Sequence, residues 1–128
     1  MATTTEQLTG KKCVPCEGGI PKLTPEQAEE LRGAIPGWKI VQGGERIRRE
    51  WVVKNFKAGM AFFTRITDLA EAEGHHPDLH LVGYRDVAIE LWTHAIGGLS
   101  ENDFVLAAKI DQIPVATKQS PTRVDPAT

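Results

Sequence analysis

Ile47-Arg48-Arg49-Glu50-Trp51-Val52-Val53 runs directly into Lys54-Asn55-Phe56-Lys57-Ala58-Gly59-Met60-Ala61-Phe62-Phe63-Thr64-Arg65-Ile66, and the change of period at that junction decides the fold. In the first stretch Ile47, Trp51 and Val53 fall on one face, with Arg48 and Glu50 on the other. That is the alternation of a half-buried strand. From Lys54 to Ala72 the apolar positions Phe56, Met60, Phe63, Ile66 or Thr67 and Ala70 recur three or four apart, which predicts a long amphipathic helix stopping at Gly74, before Pro77. Upstream, Trp38 to Val41 is a second strand-forming run, and Gly43-Gly44 between the two is a tight turn, so a β-hairpin is expected.

The same order recurs further along. Leu79 to Val82 and Asp86 to Thr93 form a second antiparallel pair joined through Gly83, with Val87, Ile89 and Leu91 alternating against Ala88, Glu90 and Trp92. After Gly97-Gly98, Ser100 supplies an N-cap and Asp103 an acid at N3. Phe104, Leu106, Ala107 and Ile110 then carry a last helix to about Ile113. A first short helix begins at Thr24-Pro25-Glu26-Gln27, a capping box with proline at N1, and runs to about Ala34. The expected fold is α+β: helix-strand-strand-helix-strand-strand-helix, a four-stranded antiparallel sheet with helices packed on one face. The uncovered face and edges of the sheet are left for oligomerisation, and Trp92 points to that outer side. Residues 1–23 are expected to form an irregular arm carrying Cys13 and Cys16, residues 24–113 the domain, and residues 114–128 a flexible tail.

Composition bounds the function. The chain has 128 residues, 41% hydrophobic and 25% charged, with 15 basic against 17 acidic side chains and a net charge of -2. This suits one packed domain and lacks the concentrated positive field that would neutralise many phosphates, so no nucleic-acid partner is expected. No apolar stretch is long enough to span a bilayer, and the first residues lack the basic region and apolar run of a secretory signal. No membrane partner and a cytoplasmic location are therefore expected. Cys13 and Cys16 form a single CxxC, a weak metal or redox candidate without a second Cys pair or a nearby histidine. There is no GxSxG, GxxxxGK, HExxH or GxGxxG, which argues against covalent catalysis and nucleotide hydrolysis.

Histidines carry the remaining chemistry. His75-His76-Pro77 follows the long helix, and His94 follows the strand ending Leu91-Trp92-Thr93. A cluster at element ends suggests a cleft in which imidazoles exchange protons near neutral pH. His75 has a competing role as a helix C-terminal cap, and His76 precedes a proline that fixes its turn. His80 alternates with Leu79 and Leu81 as a strand-face residue. Asp103 has a capping role that does not prevent it from orienting an imidazole. His94 has no capping role and is the strongest local candidate. A histidine-bound metal is poorly supported, because adjacent His75 and His76 point apart and Pro77 interrupts a helical His76–His80 pair.

These residues resemble the pterin-4a-carbinolamine dehydratase family, bacterial type. The resemblance is carried by Glu73-Gly74-His75-His76-Pro77-Asp78, Glu90-Leu91-Trp92-Thr93-His94, Gly98-Leu99-Ser100-Glu101-Asn102-Asp103-Phe104 and Leu106-Ala107-Ala108-Lys109-Ile110-Asp111. It extends over roughly Leu23 to Ile113, and the Cys13-Val14-Pro15-Cys16-Glu17-Gly18-Gly19 arm is similar to one on many bacterial members. It implies a lyase that dehydrates 4a-hydroxytetrahydropterin after aromatic amino acid hydroxylation, with no cofactor or metal, acting as a homodimer or homotetramer with a functional link to a hydroxylase. It implies His75, His76, His94 and Asp103 as catalytic residues, and His75, Pro77, Asp78, Thr93 and Asp103 against the substrate. Leu79 stands where animal members commonly place a tryptophan beside the pterin. The alternatives are a non-catalytic interaction module, like relatives that stabilise a homeodomain transcription factor or act in Rubisco assembly, and a zinc-dependent hydrolase.

Overall fold

A computed structural model of the chain describes residues 3–14 and 21–118. Among them are four α-helices, α1 (Thr5–Thr9), α2 (Pro25–Arg32), α3 (Phe56–Glu73) and α4 (Glu101–Ile110), and four strands, β1 (Lys39–Val41), β2 (Arg46–Val52), β3 (Asp78–Val82) and β4 (Asp86–Leu91). The strands form one antiparallel sheet in the order β1-β2-β4-β3. Two hairpins thus meet along β2 and β4, where Ile47 faces Leu91 and Trp51 faces Val87 across the register. The inward residues Ile47, Val87, Ile89 and Leu91 join Phe62 and Ile66 of α3, Leu31 of α2 and Phe104 and Leu106 of α4 in one core. The expected α+β architecture, with helices against one face of the sheet, is the one observed.

Three local expectations are corrected. The stretch before Thr24, expected to be irregular, contains α1, capped by Thr4 accepting from the Gln7 amide at 3.1 Å and anchored by the fully buried Leu8. A single buried leucine with one polar turn on either side gives too short a period to be read as a helix. The stretch after Pro114, expected to be flexible, is pinned as far as Lys118: the Lys54 amide donates to the Ala116 carbonyl at 2.9 Å and the Lys118 amide to Val52 at 2.8 Å. The face of α3 is the expected one at Ile66 and Ala70, with Phe63 packed against the core, but differs in the first turn. Gly59, Phe62, Ile66 and Ala70 are buried, whereas Phe56 is 54% exposed and Met60 is exposed too. Phe56 and Met60 share a second stripe with the same spacing, and periodicity alone does not say which of two apolar stripes faces inward. Gly59 settles it physically, since a Cβ there already meets Leu81 and Val53 side chains at 3.4 Å. The helix approaches the sheet closely along the Gly59 line.

Candidate active site

The helix that ends at Glu73 is terminated by Gly74 in the left-handed conformation, φ 68° and ψ 27°, which glycine adopts without the Cβ penalty of other residues. The chain turns there and delivers His75 inward and His76 outward. At the other side of the site β4 ends at Leu91, and the Thr93 amide donates to the Gly98 carbonyl at 2.8 Å. That bridge closes a small loop containing a 3-10 turn, His94–Ile96, and holds His94 out at the rim.

Gly74, His75, His76, Trp92, His94 and Ala95 line one open cleft of about 400 Å³. His75, His76 and His94, some 20 residues apart in sequence at the extremes, therefore come together. Asp103 stands behind His75. Its Oδ1 lies 2.6 Å from His75 Nε2, and its Oδ2 accepts from the Thr93 hydroxyl at 2.9 Å and from the Ser100 amide at 3.0 Å. Asp103 is 0% exposed and His75 is 5% exposed. A carboxylate that only accepts leaves the proton of this bond on His75 Nε2, fixing both the ring's orientation and its tautomer. The capping role and the imidazole-orienting role of Asp103 are filled at once, one by each oxygen.

The other expected site residues are placed differently. Thr93 is fully buried, and its hydroxyl is shared between Asp103 and Ser100 Oγ, the latter at 2.7 Å. It buttresses the carboxylate and does not line the cleft. Pro77 is half-buried and lies outside the cleft lining. Asp78 is turned to Trp92, accepting its indole N–H at 3.2 Å. His80 sits on β3 opposite Ala88, exposed on the outer side of the sheet. The Cys13 thiol is buried, 3.6 Å from the Asn102 carbonyl; Cys16 lies outside the described residues. Among the described residues no three metal-ligating side chains converge.

Two neighbours of the imidazoles carry no local sequence signal. Glu71 Oε2 is 2.8 Å from His76 Nε2, one helical turn before the cap. Trp92 stacks on His94, with ring centroids 4.0 Å apart and planes 27° from parallel, while the Arg46 guanidinium lies 4.7 Å from the indole centroid. Arg46 and Arg48 both donate to Glu90. Burial pushes the Glu90 carboxyl up, but the two guanidinium hydrogen bonds outweigh it and hold the group below its ordinary value. Glu73, next to the site, behaves alike. Burial pushes it up, but the hydrogen bonds from the Lys109 ammonium and the Cys13 amide outweigh that and hold it below its ordinary value.

Comparison with known proteins shows the family. The family described as "Pterin 4 alpha carbinolamine dehydratase" matches residues 21–113, and the chain belongs to it. A protein of Arabidopsis thaliana named "Pterin-4-alpha-carbinolamine dehydratase 2, mitochondrial" is 50% identical over 84% of this chain; the match spans 59% of that relative's length. A "Putative pterin-4-alpha-carbinolamine dehydratase" of Methylococcus capsulatus is 43% identical over 83% of this chain and 92% of its own. Among solved structures, a "transcriptional coactivator/pterin dehydratase" from Brucella melitensis superposes with a TM-score of 0.66 at 32% identity, covering 71% of this chain and 96% of the other. No helix among the described residues is long and apolar enough to cross a membrane.

Proposed function

We propose that this chain is a hydro-lyase that converts 4a-hydroxytetrahydropterin to quinonoid dihydropterin and water. The observation that carries the reading is the convergence of His75, His76 and His94 on one cleft, with His75 held by the buried Asp103. The reaction breaks the C4a–O bond and the N5–H bond. A proton goes to the departing hydroxyl, which leaves as water, the N5 electron pair forms the new double bond, and the N5 proton goes to a base. Electrons and atoms balance without a redox partner. Two imidazoles at positions open to solvent can perform both transfers near neutral pH.

In this reading His76 and His94 form the acid–base pair, in either order, both being exposed at the rim. His75 borders the cleft with one tautomer fixed and orients the pterin. Asp103 acts through His75 and Thr93 through Asp103, so both are positioning residues, and neither offers a surface for direct contact. Glu71, hydrogen-bonded to the His76 ring, orients that imidazole at the rim. The substrate arises from aromatic amino acid hydroxylation, which links the enzyme functionally to a hydroxylase. A homodimer or homotetramer is supported by the exposed Phe56 and Met60 on α3 and by Val52 and Val82 at the sheet; light scattering on the purified protein reads the assembly.

Stopped-flow decay of enzymatically generated 4a-hydroxytetrahydropterin tests the activity, because substrate and product differ in ultraviolet absorption. Acceleration by the wild-type protein that is largely lost in His94→Ala is expected. No acceleration at saturating protein would move the preference to an interaction module.

A further inference from the structure

We infer that Trp92 is a positioning residue for His94: the indole is the platform that fixes the plane of the exposed imidazole at the rim of the cleft. His94 sits in a three-residue 3-10 turn, its ring makes no hydrogen bond among the described residues, and its solvent exposure leaves the side-chain torsions otherwise unconstrained. The contact that remains is the stacked indole at 4.0 Å. Stacked aromatic pairs are geometrically selective, and a proton-transfer group gains most when its orientation is settled before the substrate arrives.

The platform is itself held from two sides. Asp78 on β3 accepts the indole N–H at 3.2 Å, and the Arg46 guanidinium on β2 covers the ring at 4.7 Å. Arg46 is in turn fixed by the buried Glu90 at 2.9 Å. The chain Glu90–Arg46–Trp92–His94 thus runs from the middle of the sheet to the rim, crossing β4 and β2. Strand alternation puts Trp92 on the opposite face from Leu91, the outer face that also carries the Arg46–Glu90 pair. None of these residues need touch the substrate for the effect.

The inference rests on the dehydratase reading for its kinetics and stands apart from it in its structural readout. Trp92→Leu removes the ring at a half-exposed position, and Trp92→Phe keeps a stacking ring. In proton NMR the imidazole signals of His94, assigned by their loss in His94→Ala, should lie upfield in the wild type from the indole ring current, remain upfield in Trp92→Phe and return to ordinary positions in Trp92→Leu. In steady-state turnover of 4a-hydroxytetrahydropterin, Trp92→Leu should lower kcat roughly tenfold with KM within about twofold, and Trp92→Phe should recover to within about threefold of wild type. A KM rise without loss of kcat would make Trp92 a substrate contact and overturn the positioning role. Unshifted His94 signals in the wild type, or signals unchanged in Trp92→Leu, would overturn it whatever the kinetics. A wild type inert toward the pterin with the expected NMR pattern would overturn the dehydratase reading alone and leave the platform standing.

Discussion

His75 and Asp103 meet at 2.6 Å, Nε2 to Oδ1, across the gap between the end of α3 and the start of α4. The contact joins the end of one helix to the start of another, and the carboxylate that makes it is also the N3 cap of α4 through the Ser100 amide. One buried side chain therefore serves the stability of a helix and the orientation of an imidazole. Asp103→Asn should lower both: an amide cannot accept with both ends, so a donor among His75, Thr93 and Ser100 is left facing an NH2 group. Leaving one buried polar group unsatisfied costs on the order of 1–3 kcal/mol. Urea unfolding should show that loss, and single-turnover decay should slow roughly tenfold or more as the tautomer is released. Unchanged values of both would mean that the bond is not formed in solution.

His75 and His76 are adjacent, and removal of either should slow turnover, but only loss of His75 should also cost stability. His76 is 63% exposed at its side chain, so His76→Ala should change stability by no more than about 0.5 kcal/mol while reducing turnover by about 10²–10⁴-fold. His75→Ala also strands the buried Asp103 carboxylate and should lower the melting temperature as well as the rate. Thermal unfolding beside stopped-flow decay separates the two. A His76→Ala protein retaining its rate within twofold would remove that residue from the proton-transfer pair.

The order of strands and of the three longer helices was legible because each period is carried by several residues: Val87, Ile89 and Leu91 admit one inward face, and Thr24-Pro25 and Ser100 mark helix starts locally. The three histidines were legible as a group because they lie at element ends, beside Gly74 and after Leu91. The rest depended on which of two solutions tertiary packing selects. The α3 stripe of Phe56 and Met60 is as periodic as the buried stripe of Phe62 and Ile66, and only the fit of Gly59 against Leu81 and Val53 distinguishes them. Leu8 needs a partner surface 90 residues away on α4 to become a core residue. Trp92 and Arg46 meet through strand order, which no local pattern encodes.

Acid should weaken the fold partly through Glu90. Its carboxyl ends below the ordinary value because the Arg46 and Arg48 hydrogen bonds outweigh the upward push of burial. A carboxyl depressed in the folded state stabilises above its unfolded value, near 4.5, and that contribution is lost as pH falls through the lower folded value. Glu73 adds in the same direction. Asp111 opposes them. Burial raises it against the pull of Trp38 and Arg49, so its contribution is greatest in acid and is lost as pH rises through its raised folded value. Comparing wild type with Glu90→Gln cancels the Asp111 and Glu73 effects, which both proteins share. Glu90→Gln should be less stable near neutrality by on the order of 1–3 kcal/mol, the worth of charged hydrogen bonds at a mostly buried acceptor, and its stability should fall less steeply below about pH 4.5. Parallel curves for the two proteins in urea titrations between pH 3 and 7 would count against the Glu90 account.

The N-terminal arm lies outside the residues matched to the family, 21–113, yet its bonds reach the helix ends that carry the site. The Cys13 amide donates to Glu73 Oε1 at 2.8 Å. The Asn102 side chain accepts from the Val14 amide at 3.0 Å and donates to the Val14 carbonyl at 2.8 Å. Lys12 reaches the Ala72 carbonyl at 2.9 Å. Glu73 is two residues before His75, and Asn102 is one before Asp103. Such bonds are short-lived unless apolar burial holds the arm down, and the residue placed to do so is Leu8, 0% exposed in the shared core. Leu8→Ala should therefore cost about 2–5 kcal/mol, the range for a fully buried leucine whose cavity collapses to varying degrees, in one cooperative urea transition. Amide exchange should rise at Cys13 and Val14 together with it, since their partners sit across the same contact. A cost under about 0.5 kcal/mol would make the arm an appendage whose hydrogen bonds form and break independently of the domain.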